Sequence, residues 1–218
     1  MKYRITFTEE CLGTSAGNHN LHRDYIASKA PDPLKTEEEV AAIGVDAFLE
    51  KGTTVFPKEN GIPFIWDYQV KGFFKGAAGA LRKTGEDYLT CKVTSHIKLI
   101  DLLIFPMPRK LFITIPEGKA MGICTRPLRG QTAQGERVSL ASSEAVPEGS
   151  YFDVSIHCLA ERYGKEKILV ADLIKEWLDY GQFGGFLQWR NSGKGRFTYA
   201  KMDDNDLSIA PISSFARQ

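Results

Sequence analysis

Apolar and polar side chains alternate at the start of the chain, where Tyr3, Ile5 and Phe7 are separated by Arg4 and Thr6. They alternate again over 151–158, with Phe152, Val154, Ile156 and Cys158 on one face. A period of two marks a strand with one buried side, so both segments are expected in a sheet. Two further apolar runs, 53–56 and 63–66, bracket Lys58, Glu59, Asn60 and Gly61. The Asn-Gly pair readily takes positive φ and predicts a hairpin between them. Residues 111–115 form another expected strand.

Helical spacing replaces alternation in three places. Thr36 followed by Glu37, Glu38 and Glu39 resembles a capping box, and Val40, Ile43, Ala47 and Phe48 continue it as a short acidic helix. Asp67 is placed to cap a second helix with Val70, Phe73, Phe74, Ala77, Ala80 and Leu81 on one broad face. Gly72, Gly76 and Gly79 each cost that helix about 0.8–1 kcal/mol relative to alanine, so a close approach to its backbone is expected to offset them. Leu169, Val170, Leu173, Ile174, Trp177 and Leu178 define a third helix over 168–179, with Gly181 as its stop, before a last strand at 196–201. The segment 121–149, rich in Arg, Gln, Ser and Gly, reads as a long central loop of the functional kind.

This order predicts an α+β fold, a ferredoxin-like (RRM-like) core with an inserted hairpin and a long central loop, in one domain over 1–218. Residues 202–218 are either a mobile tail or a strand given to a neighbour.

With 218 residues the chain can bury a sizeable core. It has neither a long apolar run nor an apolar leader before its first strand, so no membrane partner and a cytoplasmic location are expected. Cys11, Cys91, Cys124 and Cys158 form no C-x-x-C pair, and His19 and His22 lack ligand-spaced partners. No metal and no cofactor are therefore expected. The net charge of +1 predicts no polyanion partner by itself, but its distribution is uneven. Glu37, Glu38, Glu39, Asp46 and Glu50 crowd one segment, whereas Arg190, Lys194, Arg196 and Lys201 fall in a stretch without any carboxylate.

That basic stretch is also rich in glycine and aromatic residues. It is not a P-loop, because Gln188 stands where the first glycine belongs and Gly195 where Ser or Thr should follow Lys194. No G-x-G-x-x-G joins the first strand to a helix, which excludes a dinucleotide fold. Two readings stay open. In one, the glycines admit a sugar-phosphate backbone, Arg190, Lys194 and Arg196 neutralise it, and Phe183, Phe186 and Trp189 stack on bases. In the other, the aromatics belong to the core and the glycines merely turn the chain.

Residues 183–197, Phe-Gly-Gly-Phe-Leu-Gln-Trp-Arg-Asn-Ser-Gly-Lys-Gly-Arg-Phe, resemble the C-terminal glycine-rich loop of the RAMP superfamily. Three other places agree in order. The small-residue turn 12–17 is similar to the one after that family's first strand. Residues 62–75, with Leu81 and Arg82 beyond them, resemble the I-P-G-S-S-L-K-G entry to its first helix. The region 126–152, with Thr132-Ala133-Gln134-Gly135 and the E-x-V-P-x-G-x-x-F run from Glu144 to Phe152, resembles its central loop. The family's small residues after the proline are here Phe64, Ile65, Trp66 and Asp67.

The resemblance is closest to backbone subunits of CRISPR effector complexes, which serve antiviral defence, and to related prophage proteins. It implies side-by-side self-association into a filament or ring, other CRISPR effector subunits as partners, and binding of single-stranded RNA or single-stranded DNA. The residues it assigns to nucleic acid are Lys71, Lys75, Arg82, Arg126, Arg129, Gly184, Gly185, Trp189, Arg190, Gly193, Lys194, Gly195 and Arg196. Relatives that cut RNA carry an aspartate after the first strand. The nearest aspartate here is Asp24, a poor match, so no catalytic residue is expected. One alternative is an endoribonuclease with His22 or His157 as general base. Another is a phage interaction protein that mimics a CRISPR subunit and uses Trp66, Phe73 and Phe74 as partner anchors.

Overall fold

The computed structural model describes residues 1–16, 53–85, 87–132 and 135–202. The expected acidic helix at 36–48, His19, His22, Asp24 and the end of the chain from 203 lie outside the described residues. In chain order the strands are β1 (Lys2–Phe7), β2 (Cys11–Leu12), β3 (Ser15–Ala16), β4 (Thr54–Val55), β5 (Lys58–Glu59), β6 (Ile62–Trp66), β7 (Ile104–Met107), β8 (Lys110–Phe112), β9 (Gly122–Thr132), β10 (Gly135–Val146), β11 (Tyr151–Cys158), β12 (Arg162–Tyr163), β13 (Ile168–Leu169) and β14 (Phe197–Met202). The helices are α1 (Asp67–Lys83), α2 (His96–Leu103) and α3 (Val170–Gly184).

The central sheet has the order β14-β1-β11-β7, with every neighbouring pair antiparallel. Taken with α1 and α3 this is β1-α1-β7-β11-α3-β14, the ferredoxin-like connection expected from the sequence. One sheet face carries Ile5, Phe7, Phe152, Val154, Ile156 and Phe197, which pack on Val70, Phe73, Phe74, Leu173, Ile174, Trp177 and Leu178. Each large side chain removed from water contributes about 1.5–3 kcal/mol, which makes this layer the main source of cohesion. The other sheet face is open. Arg4 crosses it, paired through both guanidinium ends to Asp153 at 2.8 Å and lying 4.3 Å over the Tyr151 ring.

The hairpin at Asn60-Gly61 joins β5 to β6, with both turn residues at positive φ, 51° and 79°, but its outer strand is 58–59 and not the expected run 53–56, where β4 pairs with β3 and β10 instead. The cap of α1 differs from expectation. Trp66 occupies the capping position, and its amide donates to Gln69 Oε1 at 2.8 Å. Asp67 is already helical and accepts from the Tyr68 amide and Arg109 Nη1. Of the three glycines in α1, only Gly76 is closely approached, by Arg190 Nη1 at 3.1 Å from where a Cβ would sit. Gly72 and Gly79 face open space.

The segment 121–149 is not a loop. β9 and β10 form a continuous antiparallel ladder from Thr132↔Gly135 down to Gly122↔Ala145. Most of this ribbon stands clear of the core, as the exposure of Ile123 and Leu140 indicates. At its base Ser143, Ala145 and Val146 are buried, whereas Ile123, Thr125, Pro127 and Leu140 further out are exposed, so apolar alternation marks little of its described length. Its base is anchored where β10 pairs with β2 and β4. There Glu144 accepts from the Phe56 amide at 3.0 Å and from Lys58 Nζ at 2.6 Å.

Gly181 does not stop the third helix, which runs on to Gly184. Its missing side chain is the space occupied by the Phe197 ring, whose Cζ lies 2.1 Å from the position of a Cβ.

His96 opens α2 with its Nδ1 buried and without a hydrogen-bond partner. Burial, and secondarily the Arg82 guanidinium, lower its pKa from the ordinary 6.5. The unfolded chain therefore takes up this proton first. The stability contributed by the neutral ring is complete above 6.5 and is lost as pH falls below it. Thermal unfolding should show a steeper loss of Tm between about pH 7 and pH 5 for wild type than for His96→Gln. Parallel profiles would remove His96 from the acid response.

Candidate nucleic-acid interface

The basic stretch begins where α3 ends. Gly185, at φ 64°, turns the chain so that Phe186 drops into the core with 2% of its surface exposed. Its ring lies 5.6–6.4 Å from those of Phe7, Phe73, Phe152 and Phe197. Phe186 is therefore unavailable for base stacking. The same burial holds for Phe73 and Phe74, which cannot be partner anchors. Trp66 is half-buried, stacked on Tyr68 and edge-on to Phe64.

Two strands of the loop cross at van der Waals distance. Phe186 N donates to Gly195 O at 2.8 Å, and Gly195 N donates to Glu10 O at 2.8 Å. A Cβ on Gly185 would lie 2.3 Å from Lys194 O, and one on Gly195 would lie 2.2 Å from Phe186 O. These glycines thus close the neck of the loop. The tip contains a 3₁₀ turn at Arg190–Ser192, flanked by Trp189 at φ 56° and Gly193 at φ 87°. Leu187 also has a positive φ of 62°. Non-glycine residues held in this region cost of order 1–3 kcal/mol each and persist where the surroundings over-determine them.

The over-determining contacts come from beneath. Gln188 Nε2 lies within hydrogen-bonding distance of Thr54 Oγ1 at 2.8 Å, Ser143 Oγ at 2.9 Å and Gly13 O, and shares its two protons among these three acceptors. Arg126 on β9 donates to Ser143 Oγ at 3.1 Å and Gln188 Oε1 at 3.3 Å, and its guanidinium lies 4.9 Å from the Trp189 ring. Only 6% of Arg126 is exposed, its Nε has no partner, and among the described residues no carboxylate pairs with it. It supports the loop from within. Gln188 is the positioning residue that motif reasoning passed over, since the sequence marked it only as a glycine missing from a P-loop.

Above this support lies a cleft of about 580 Å³, bounded by Gly76 of α1, Tyr180, Phe183 and Gly184 of α3, and the loop residues Leu187–Asn191 and Arg196. No carboxylate lines it. Among the described residues, neither Arg190 nor Arg196 forms an ion pair.

The predicted site residues therefore separate. Gly184, Trp189, Arg190 and Arg196 border the cleft, Gly185, Gly193 and Gly195 shape its wall, and Arg126 lies under it. Lys194 points away to Glu10, 2.7 Å from Nζ to Oε2, and this hydrogen bond raises its pKa. Lys75 is paired with Asp101 at 2.6 Å, and Lys71 donates to Asp101 O while lying over the Phe105 ring. Arg82 Nη1 donates to the carbonyls of Thr90 and Val93, pinning the 3₁₀ segment at 89–92. Arg129 lies on β9 in the outer half of the ribbon. His157 is exposed in a separate hollow with Asp67, Phe105, Met107, Arg109 and Leu159. Tyr180, Asn191 and Gly76 complete the cleft without any motif having marked them as part of it.

Among the described residues, no His/Cys/Asp/Glu cluster suited to a metal ion is found, and no helix is long and apolar enough to cross a membrane. No family model matches the sequence, and no curated protein matches it. Solved structures do. A chain of the Type III-B Cmr-beta bound to cognate target RNA aligns over 93% of this chain with a TM-score of 0.52 at 8% identity. This chain spans 58% of that one. A chain of a Type IV-B CRISPR complex aligns over 100% of this chain and 94% of its own length, with a TM-score of 0.46 at 10% identity. The chain shares its α+β fold with that Type III-B Cmr-beta chain, as the RAMP resemblance implied.

Proposed function

We propose that this chain is a non-catalytic, single-stranded RNA-binding subunit of a CRISPR-type effector, assembling side by side with copies of itself and with other effector subunits. The observation that carries the reading is the cleft, where the guanidinia of Arg190 and Arg196 share a wall with Trp189 that, among the described residues, contains no carboxylate. Guanidinium forks match phosphate oxygens in geometry and charge, and an indole offers a sequence-tolerant stacking face. The RNA named with the Type III-B neighbour agrees with this chemistry.

The test is made on freshly purified full-length protein. Its absorbance ratio at 260 and 280 nm and its light-scattering mass are measured before and after ribonuclease or deoxyribonuclease. Co-purified RNA in a large, ribonuclease-sensitive particle is expected. Binding of labelled single-stranded RNA should weaken with salt, with a log-log slope of about −0.7 for each phosphate neutralised. A small particle free of nucleic acid that binds neither RNA nor DNA overturns the reading in favour of a protein-interaction role. A particle sensitive only to deoxyribonuclease replaces RNA with single-stranded DNA.

A further inference from the structure

We infer that the cleft seats one unstacked nucleotide of a strand, its base on the face of Trp189 opposite Arg126 and its phosphate between Arg190 and Arg196. This rests on the RNA-binding reading and adds the unit that the site recognises. A clamp for phosphate alone needs two cations and little space. Here the cations border about 580 Å³, a volume in the range of small-molecule pockets. The rest of the lining is mixed and includes three aromatic side chains, Tyr180, Trp189 and Phe183, the last 74% exposed.

Trp189 is held ready for such a ligand. Its φ of 56° is maintained by the turn that follows, and Arg126 fills one side of the ring at 4.9 Å. The base is placed on the face of this half-buried indole opposite Arg126. Arg126 is itself a second pointer to an anion. A guanidinium with 6% exposure, an unpartnered Nε and only neutral acceptors puts uncompensated positive charge under the cleft floor. Such a charge strengthens attraction to a phosphate above it.

The polar groups able to read a base edge are few. The Gln188 amide is committed to Gly13, Thr54, Ser143 and Arg126. Asn191 is the other side-chain amide in the lining, and it is exposed. Recognition by stacking with little base discrimination follows.

Gly76 sets the reach of Arg190. The guanidinium approaches within 3.1 Å of the place a Cβ would occupy. Gly76→Ala therefore pushes the end of the Arg190 side chain by a few tenths of an ångström without changing charge, while the helix gains propensity.

The experiment titrates full-length protein with adenosine 5′-monophosphate, ribose 5-phosphate and inorganic phosphate, following tryptophan fluorescence and competition against a labelled ribohexanucleotide. The chain has three tryptophans, and the difference between wild type and Trp189→Phe isolates the relevant one. Adenosine monophosphate should quench wild type and not Trp189→Phe, and should compete about 5- to 100-fold better than ribose 5-phosphate, the range that base–aromatic stacking supplies. The hexanucleotide should bind more tightly than the monophosphate because it adds phosphate contacts. Gly76→Ala should weaken the monophosphate several-fold without lowering Tm. Phe183→Ala, at an exposed position, should also weaken it and serves if Trp189→Phe fails to fold.

Equal competition by all three small ligands reduces the cleft to a phosphate site and overturns the inference. So does RNA binding that leaves Trp189 fluorescence unchanged, although the proposed function then stands. A monophosphate that binds more tightly than the hexanucleotide makes the ligand a free nucleotide and overturns the strand assignment. Failure of every nucleic-acid ligand removes both readings.

Discussion

Replacing Gly181 by alanine is expected to destabilise the protein by about 2–4 kcal/mol, although alanine is the better helix former by roughly 1 kcal/mol. The new methyl group would meet the Phe197 ring at 2.1 Å. That ring has 1% exposure and cannot withdraw, because it is held edge-on to Phe73 at 5.1 Å and packs on Phe186. Accommodation requires α3 to move away from β14, which opens the core beneath the loop. Gly72→Ala and Gly79→Ala, which face open space, should instead stabilise by up to about 1 kcal/mol each. Urea unfolding of the three variants gives opposite signs if this packing is right. A Gly181→Ala protein as stable as wild type would show that α3 and β14 are not in this contact.

The second large effect is on binding. Arg190→Ala combined with Arg196→Ala should weaken single-stranded RNA by roughly 10- to 100-fold near 0.1 M salt and flatten the log-log salt slope by about 1.4, two phosphates at about 0.7 each. Lys194→Ala, by contrast, should change affinity less than about 3-fold, the scale of an exposed charge already engaged in a surface pair. Its ammonium is committed to Glu10 and lies in a different hollow, with Glu9 and Glu148. All three cations fall in one stretch without any carboxylate, so this contrast tests the tertiary arrangement directly. Fluorescence anisotropy across a salt series measures both quantities. If Lys194→Ala matches the double variant, the binding surface extends over the whole loop and the cleft loses its special role.

Much of the frame is legible locally. β1 and β11 announce themselves because each has one face against the helices and the other open, which imposes a period of two. The hairpin at Asn60-Gly61 is legible because positive φ at two successive positions restricts the residues that can occupy them. The apolar stripes of α1 and α3 follow from packing on one sheet face. The β9–β10 ribbon is not legible, since only its base at Ser143, Ala145 and Val146 is buried and its long pairing is satisfied strand to strand. Composition alone also left the role of the aromatic residues undecided. The structure divides them, with Phe186 in the core and Trp189 at the cleft.

What the sequence determined by itself, then, is whatever repeats along the chain: strand alternation, helical stripes, the turn chemistry, and the order of segments that produces a ferredoxin-like α+β core. The gathering of distant residues was decided only by the tertiary structure. Gln188 is tied to Gly13 across 175 positions, Arg126 reaches Gln188 across 62, and Gly76 meets Arg190 from another element. Hydrogen bonds and close contacts of this kind depend on positions in space that no local period records. The buried Arg126 and the cleft residue Arg190 carry the same letter until the fold separates them.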